Sequence, residues 1–199
     1  MSTRDNILDA AEDIFVNSGF SGSSMKSIAE KAHVAKSLIY HYFVSKRELW
    51  DEVIHRRISQ ARLPDRMIEM VSSILSDGLE AVRKNRNHTT YFEFLRDNPQ
   101  FVRMLAWLNA EQSLWICPPI EVRKEVIKKL KELQEKGVFR DDVDPRAFVV
   151  CYMSIYEMWF MSRSRISAWF DEDMSEGEMT EIFIDTVGKI LLDGMAGSK

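Results

Sequence analysis

The stretch SIAEKAHVAKSLIYHYFVSKREL, residues 27–49, decides the fold of the N-terminal part of this 199-residue chain. Its apolar residues recur at helical spacing on both sides of a break at residues 33–35. Upstream, the periodic run from Asp5 to Gly19 predicts a supporting helix. Two short helices joined by a three-residue turn, behind a third helix, predict a helix-turn-helix. We expect its small core to consist of Ile28, Ala29, Ala32, Val34, Ile39 and Phe43.

The same stretch is basic although the chain carries a net charge of −4. Between residues 22 and 47, five lysines and arginines accompany one acid, Glu30. Ammonium, hydroxyl and imidazole groups reach phosphate oxygens and base edges, so we interpret this face as a DNA-contacting surface. A solvated basic face explains the charge alone, but not the turn spacing, the helix cap and the Tyr-His-Tyr sequence together. The residues left outside the core of the second helix are Lys36, Ser37, Leu38, Tyr40, His41 and Tyr42.

Capping residues mark where these helices begin. Ser23 or Ser24 can cap the first helix of the motif. Ser45 followed by Glu48 fits a capping box that opens a longer helix towards Arg62. Lys46 then lies in the first turn of that helix, where free backbone N–H groups favour a phosphate.

The rest of the chain also reads as helices, so the predicted fold class is all-α. Pro64 marks the boundary between a DNA-binding domain, residues 1–62, and a larger helical domain, residues 63–199. Breaks of Asn/His/Thr, Pro118-Pro119, Gly137 and a DEDMSEG turn separate the periodic segments. These segments run over 65–84, 99–116, 120–136, 145–170 and 176–193.

Residues 5–55 resemble the N-terminal domain of the tetracycline-repressor (TetR) family of bacterial transcription regulators. The resemblance implies an Ω-shaped homodimer with one DNA-binding head per subunit. By position, Lys36, Tyr40, Tyr42 and Lys46 would hold the phosphate backbone, together with Ser24. Lys26, Ser37, Leu38 and His41 would lie nearest the bases. The matching residues are Phe15, Gly19, Phe20, Ile28, Ala29, Ala32, Val34, Lys36, Ile39, Tyr40, Phe43, Ser45, Lys46 and Leu49.

Three positions depart from the family pattern. His33 stands where a turn glycine is common, so its backbone must avoid a positive φ or accept modest strain. Tyr42 replaces a frequent histidine and remains a donor. Leu38 replaces a small or polar residue; it either contacts a thymine methyl or is a packed or exposed leucine.

The C-terminal part is rich in tyrosine, tryptophan, phenylalanine and methionine, which either line an adaptable cavity or fill a core. Because tyrosine and tryptophan need partners for their polar atoms, we single out Trp107, Tyr152, Tyr156 and Trp159 as candidate effector-binding residues. The resemblance implies that the last two helical segments of each subunit form a four-helix dimer interface. A stripe in the last segment would contribute to it, or would dock on its own domain: Ile182, Phe183, Val187, Ile190 and Leu191.

Other function classes find no support in the sequence. It contains no glycine-rich phosphate loop, HExxH motif or nucleophile elbow. We therefore expect that the protein is not an enzyme and has no cofactor and no metal site. Cys117 and Cys151 are interpreted as reduced, buried thiols of a cytoplasmic protein. No signal peptide and no membrane span is apparent, so we expect a cytoplasmic location and no membrane partner.

The function predicted from the sequence is that of a ligand-responsive transcription regulator. A repressor homodimer would bind a palindromic double-stranded operator and leave it when a small apolar effector binds. The alternative is a ligand-independent helical DNA-binding or adaptor protein.

Overall fold

A computed structural model describes residues 2–111 and 120–197, most of which are helical. Among these residues the only pairing of strand type is an isolated bridge between Phe139 and Ala196, which confirms the all-α prediction. Two compact units separate: residues 2–61 with 98–111, and residues 62–97 with 120–197. The sequence prediction had placed 98–111 in the second domain.

The first unit contains five helices. They are α1 (Thr3–Ser18), α2 (Met25–Ala32), α3 (Lys36–Tyr42), α4 (Lys46–Gln60) and α7 (Pro99–Glu111). The second unit contains the others: α5 (Leu63–Lys84), α6 (Thr90–Asp97), α8 (Ile120–Glu135), α9 (Pro145–Met161), α10 (Arg163–Ile166) and α11 (Glu176–Gly188).

An apolar core fixes α2 and α3 against α1 and α4. Phe15 of α1 meets Trp50 of α4 edge to face, with ring centroids 4.8 Å apart, and both side chains are fully buried. Burying such rings stabilises a small unit by a few kcal/mol each. Five of the six predicted core residues are buried; Val34 is half-buried.

A buried carboxylate joins α1 to α4. Glu12 has a side chain only 8% exposed, and it accepts hydrogen bonds from Arg56 and Arg57. Arg56 also donates to Asp9 over 2.7 Å. Because a buried charge needs a partner, this pairing fixes how α4 lies on α1.

The second unit has two sets of buried apolar residues. Aliphatic side chains of α5 and α8 pack with Phe139 and with residues near the C-terminus. Aromatic rings of α6, α9 and α11 form a second set, in which Trp159 and Phe183 stack with centroids 4.1 Å apart. Asp144 caps α9: its side chain accepts a hydrogen bond from the Arg146 N–H at 2.8 Å, and Pro145 lies in the first turn of the helix.

Several helices end or break where the periodic pattern did not indicate it. Helix α6 occupies a stretch that we had read as a break. Gly78 adopts φ 81° and interrupts α5, and α9 stops at Ser162, short of the predicted end at 170. Residues 189–193 form a π-helix after α11. Trp115, Cys117 and the predicted end of the 99–116 helix lie outside the described residues. Cys151 of α9 is exposed, so the prediction of a buried thiol is wrong there.

Candidate nucleic-acid interface

Helix α2 begins at Ser24, one of the two predicted caps. The Ser24 hydroxyl accepts a hydrogen bond from the Ser27 N–H at 3.0 Å, which satisfies one of the free donors of the first turn. Ser23 is buried instead, and its hydroxyl donates to the Phe20 carbonyl at 2.6 Å. Ser24 and Lys26 remain exposed at this end of the motif.

The turn between α2 and α3 resolves the question raised by His33. This residue adopts φ 54° and ψ 43°, in the left-handed region where glycine is at ease. The Val34 N–H donates to the Ala29 carbonyl at 3.0 Å and closes the end of α2. His33 therefore accepts strain of about 1 kcal/mol rather than avoiding it.

Helix α3 turns an apolar face inward and a polar face outward. Ile39 is fully buried, and Phe43 just beyond the helix is 1% exposed. The ammonium of Lys36 lies 5.7 Å from the ring centroid of Tyr40, one turn later on the same face. The exposed residues of α3 are Lys36, Ser37, Tyr40, His41 and Tyr42.

Leu38 and Tyr42 flank this outward face. Leu38 is half-buried, so its contact with a thymine methyl stays a prediction. The ring of Tyr42 meets His41 edge to face at 5.3 Å, while 38% of Tyr42 stays exposed. Both rings therefore lie beside the polar face of α3.

Lys46 differs from the other predicted phosphate contacts. Its side chain is half-buried, and its ammonium donates to the carbonyls of Phe20 at 2.6 Å and Ser23 at 2.8 Å. Loss of water contact lowers the pKa of Lys46, while Glu111 acts in the opposite direction. No sequence pattern predicts this contact, because Phe20 and Ser23 offer main-chain oxygens, which every residue has.

Only one of the two hydrogen bonds of the capping box predicted at the start of α4 is present. The Ser45 hydroxyl accepts from the Glu48 N–H at 3.1 Å, as a capping box requires. The carboxylate of Glu48 accepts from the N–H of Val44 at 2.6 Å rather than from that of Ser45. The cap still fixes α4 directly after α3.

Two family models match this chain. Residues 7–53 match the model described as "Bacterial regulatory proteins, tetR family", which covers the whole helix-turn-helix. Residues 79–191 match a tetracyclin repressor-like C-terminal domain. The chain belongs to the TetR family. TetR-family proteins of this kind are DNA-binding transcription regulators, not enzymes.

Named relatives and solved structures agree with this assignment. The transcriptional repressor NicS of Pseudomonas putida is 25% identical over 97% of this chain and 92% of its own length. The regulator UidR of Escherichia coli K12 is 29% identical over 71% of each chain. A TetR family transcription regulator from Marinobacter aquaeolei VT8 has the same fold, with a TM-score of 0.64, 20% identity and coverage of 98% and 96%.

The four predicted effector residues of this TetR protein are divided between the two units. Trp107 belongs to the first unit, where its indole N–H donates to the Val16 carbonyl at 3.2 Å. Tyr152, Tyr156 and Trp159 lie on one side of α9 in the second unit, each 4% exposed or less. Helical spacing alone did not show which unit α7 joins, and effector binding by these four residues stays a prediction.

The hydroxyls of the buried tyrosines find partners inside the second unit. Those of Tyr152 and Tyr156 donate to the His88 carbonyl at 2.9 and 3.3 Å, and burial raises the pKa of both phenols. The hydroxyl of Tyr91 donates to Glu157 at 2.7 Å. Burial raises the pKa of Glu157, although this hydrogen bond opposes the shift. These contacts hold α9 against the 88–91 segment.

Two buried side chains of the second unit, His88 and Trp159, have ring nitrogens without a hydrogen-bond partner, and only Trp159 was singled out from the sequence. His88 is 4% exposed, and neither ring nitrogen has a hydrogen-bond partner. Burial lowers its pKa, and backbone groups of Ile184 and Val82 oppose that shift. The indole N–H of Trp159 is likewise buried without a partner. His88 borders a cavity of about 20 Å³, room for about one water molecule.

The predicted dimer stripe, on α11 and the π-helix that follows it, divides between two faces. Val187 and Leu191 are buried in their own unit, and Phe183 stacks on Trp159. Ile182 and Ile190 point outward, with 46% and 62% of their surfaces exposed. Residues four apart therefore share the inner face and residues eight apart share the outer one, and their part in a dimer interface stays a prediction.

Within residues 2–111 and 120–197, no three His, Cys, Asp or Glu side chains are grouped as a metal ion requires. No described helix combines the length and apolar character that a membrane span needs.

Proposed function

We propose that this TetR-family protein is a homodimeric repressor that binds a near-palindromic operator through α3 of each protomer. The outward face of α3 is the observation that supports this most directly, because Lys36, Tyr40 and His41 are exposed while Ile39 holds the helix from inside. Two relatives, NicS and KstR2, are named as repressors. Such a regulator would act in the cytoplasm, where bacterial DNA lies.

In this proposal the exposed donors take two roles. Lys36, Tyr40, Tyr42 and Ser24 contact phosphates and set the position of α3 in the major groove. Lys26, Ser37, Leu38 and His41 lie nearest the base edges and read the sequence.

The dimer would form through outward-facing residues of α9 and α11. Besides Ile182 and Ile190, these helices expose Val150, 63% of its surface, and Met158, 46%. Exposed aliphatic side chains on two helices of one unit are typical of an interface that a second copy covers. Regulators of this family bind DNA as dimers.

The dimer is tested by replacing one of these residues with a charge. Ile190→Asp should convert the protein to monomers at micromolar concentration in sedimentation velocity, because a carboxylate would be buried in the interface. Val44→Asp, at an 82% exposed position of the first unit, is the matched control and should leave the dimer intact. A dimer unaffected by Ile190→Asp contradicts the proposed interface.

A small apolar effector would bind inside the second unit, beside Tyr152. The cavity there is bordered by apolar side chains of α5, α8 and α9, with His88 at its edge. Because it has room for only about one water molecule, an effector must widen it. The break at Gly78 supports such widening, since it lies between two residues of the cavity wall, Ile74 and Val82. The effector would favour a head separation that no longer fits the operator.

A ligand-independent DNA-binding protein is the second candidate, and the small cavity favours it. The two candidate functions are distinguished by adding small aliphatic and aromatic compounds to the protein–operator complex. Release of the duplex by one class of compound at micromolar concentration supports the effector proposal. Retention of the duplex with every compound supports the ligand-independent protein.

DNA binding itself is tested by selecting bound duplexes from a random pool with the full-length protein. We expect an inverted repeat whose half-sites lie about 10 base pairs apart or a multiple of that, since two heads meet successive major grooves. Recovery of no preferred sequence would refute the proposed function.

A further inference from the structure

The loop between α1 and α2, residues 19–23, is held by Lys46 from the direction of α4. The Lys46 ammonium donates to two carbonyls of this loop and lies 4.3 Å from the ring centroid of Phe20. An ammonium has three donors, so two of them are occupied inside the protein. These internal acceptors leave one donor of the Lys46 ammonium for an external acceptor.

Glu111 holds the same loop from the direction of α7. Its carboxylate accepts the N–H of Ser21, which lies 3.1 Å from both oxygens, and the Ser21 hydroxyl at 2.9 Å. Hydrogen bonds to an ionised carboxylate are about twice as strong as neutral ones. Ser21 therefore donates both its main-chain N–H and its hydroxyl to Glu111 of α7.

The packing around Gly19 shows that α7 approaches this loop closely. Gly19 adopts φ +69°, and a Cβ atom there would lie 2.5 Å from Glu111 Oε1 and 2.9 Å from the Trp107 ring. Trp107 lies one turn before Glu111 on α7, and its N–H satisfies the carbonyl of Val16 in the last turn of α1. Gly19, Trp107 and Glu111 thus form one fitted contact.

We propose that Lys46 and Glu111 are positioning residues for operator binding, which clamp residues 19–23 from two sides and so fix the start of α2. Ser24, the cap of α2, follows the clamped loop directly, so the clamp sets where α2 presents Ser24 and Lys26 to DNA. Lys46 then contributes to affinity through the fold of the head and not as a phosphate contact. The inference rests on the proposed function, in which α2 and α3 carry the DNA.

Through the clamp, helix α7 contacts the DNA-binding motif directly, although it comes later in the chain. Helix α7 follows residues 62–97 in the chain, yet its Glu111 contacts the loop that begins α2. A displacement of α7 would break the contacts of Ser21 and release one side of the loop. Operator affinity would fall without any change in the residues that face the DNA.

The salt dependence of binding distinguishes a positioning lysine from a phosphate contact. Lys46→Met and the matched Lys36→Met are titrated with the duplex that the wild-type protein selects, at several salt concentrations. Lys36→Met should lower the slope of log K against log salt by about 0.9, the value for one phosphate contact. Lys46→Met should weaken binding about tenfold at every salt concentration, with the slope of the wild type.

Glu111→Ala is the second variant that tests the clamp. Removing an acid from a DNA-binding protein ordinarily strengthens binding, and Glu135→Ala, at an exposed position of α8, is the control of equal charge change. The clamp predicts the opposite sign: Glu111→Ala weakens binding about fivefold, the loss of a charged hydrogen bond. It also predicts faster hydrogen exchange of the Ser21 amide in Glu111→Ala and not in Glu135→Ala.

Three results overturn the inference: a slope lowered by about one unit in Lys46→Met, unchanged affinity in either clamp variant, or unchanged exchange at Ser21 in Glu111→Ala. Circular dichroism establishes that each variant is folded. These failures differ from failure of the proposed function, because they are measured with a wild-type protein that does select a duplex.

Discussion

The five tyrosines of the chain divide between the two units. Tyr40 and Tyr42 of the first unit are on the surface, 47% and 38% exposed. Tyr91, Tyr152 and Tyr156 of the second unit are buried, and each hydroxyl donates to an acceptor in that unit. A buried phenol with a partner stabilises the fold, whereas an exposed phenol leaves its hydroxyl for another molecule.

The difference teaches how one residue type serves recognition in one unit and packing in the other. In α3 the inner positions are filled by Ile39 and, just beyond, Phe43, so the tyrosines turn outward. In α9 the tyrosines themselves occupy the inner positions. The predictions that follow test this division, from the largest expected effect to the smallest.

Replacing a tyrosine by alanine, which removes the whole ring, should give the largest difference in stability effect between the two units. Tyr156→Ala is expected to lower the free energy of unfolding by about 3–5 kcal/mol, since it removes a fully buried ring. Tyr40→Ala should change it by less than about 0.5 kcal/mol. Urea denaturation followed by circular dichroism measures both, and similar losses in the two variants would break the comparison.

The buried charge of the first unit comes next in size. Glu12→Gln should lower the free energy of unfolding by about 2 kcal/mol, because Arg56 and Arg57 lose an ionised partner in a site shielded from water. Glu30→Gln is the control: its side chain is 67% exposed, and its ion pair with Lys26 spans 3.8 Å. A change below about 0.5 kcal/mol is expected there. Equal stability of the two variants in urea would contradict the prediction.

Removing only a hydroxyl from each unit sharpens the comparison further. Tyr40→Phe should weaken operator binding about fivefold in a band-shift titration and leave the stability unchanged. Tyr152→Phe should lower the free energy of unfolding by about 1 kcal/mol and leave operator binding unchanged, because its hydroxyl donates to the His88 carbonyl. If Tyr40→Phe lowered the stability and Tyr152→Phe weakened operator binding, the roles assigned to the two tyrosines would be contradicted.

The smallest expected effect concerns Glu157, the partner of Tyr91. Burial raises its pKa in the folded state above the ordinary value of 4.5. The folded protein therefore binds more protons than the unfolded chain above pH 4.5, and stability falls as the pH rises through the raised pKa. Glu157→Gln should remove this fall and gain less than about 1 kcal/mol at pH 8, since the carboxylate is partly hydrated. Identical pH profiles of urea denaturation for both proteins would contradict this.

The sequence predicted the first unit well because its signals are local. The break at residues 33–35, the cap at Ser24 and the buried Ile39 all follow from spacing within a few residues, and the structure confirms them. The contacts of Lys46 and Glu111 were not predictable, since one uses main-chain oxygens and the other joins residues 90 positions apart.

The second unit was predicted less completely for a related reason. Helix α6 was missed because Asn, His and Thr before it read as a break, although Tyr91, Phe92 and Phe94 are all buried. The outer and inner faces of α11 were merged, because apolar residues occur on both. Which face is buried depends on Trp159, a partner on another helix.

The most direct test of DNA recognition by α3 compares two duplexes of equal length and base composition. One is the sequence that the wild-type protein selects from random DNA, and the other is the same sequence scrambled. At physiological salt the account predicts that the selected duplex binds at least about 10³-fold more tightly. Equal Kd values for the two duplexes would contradict it.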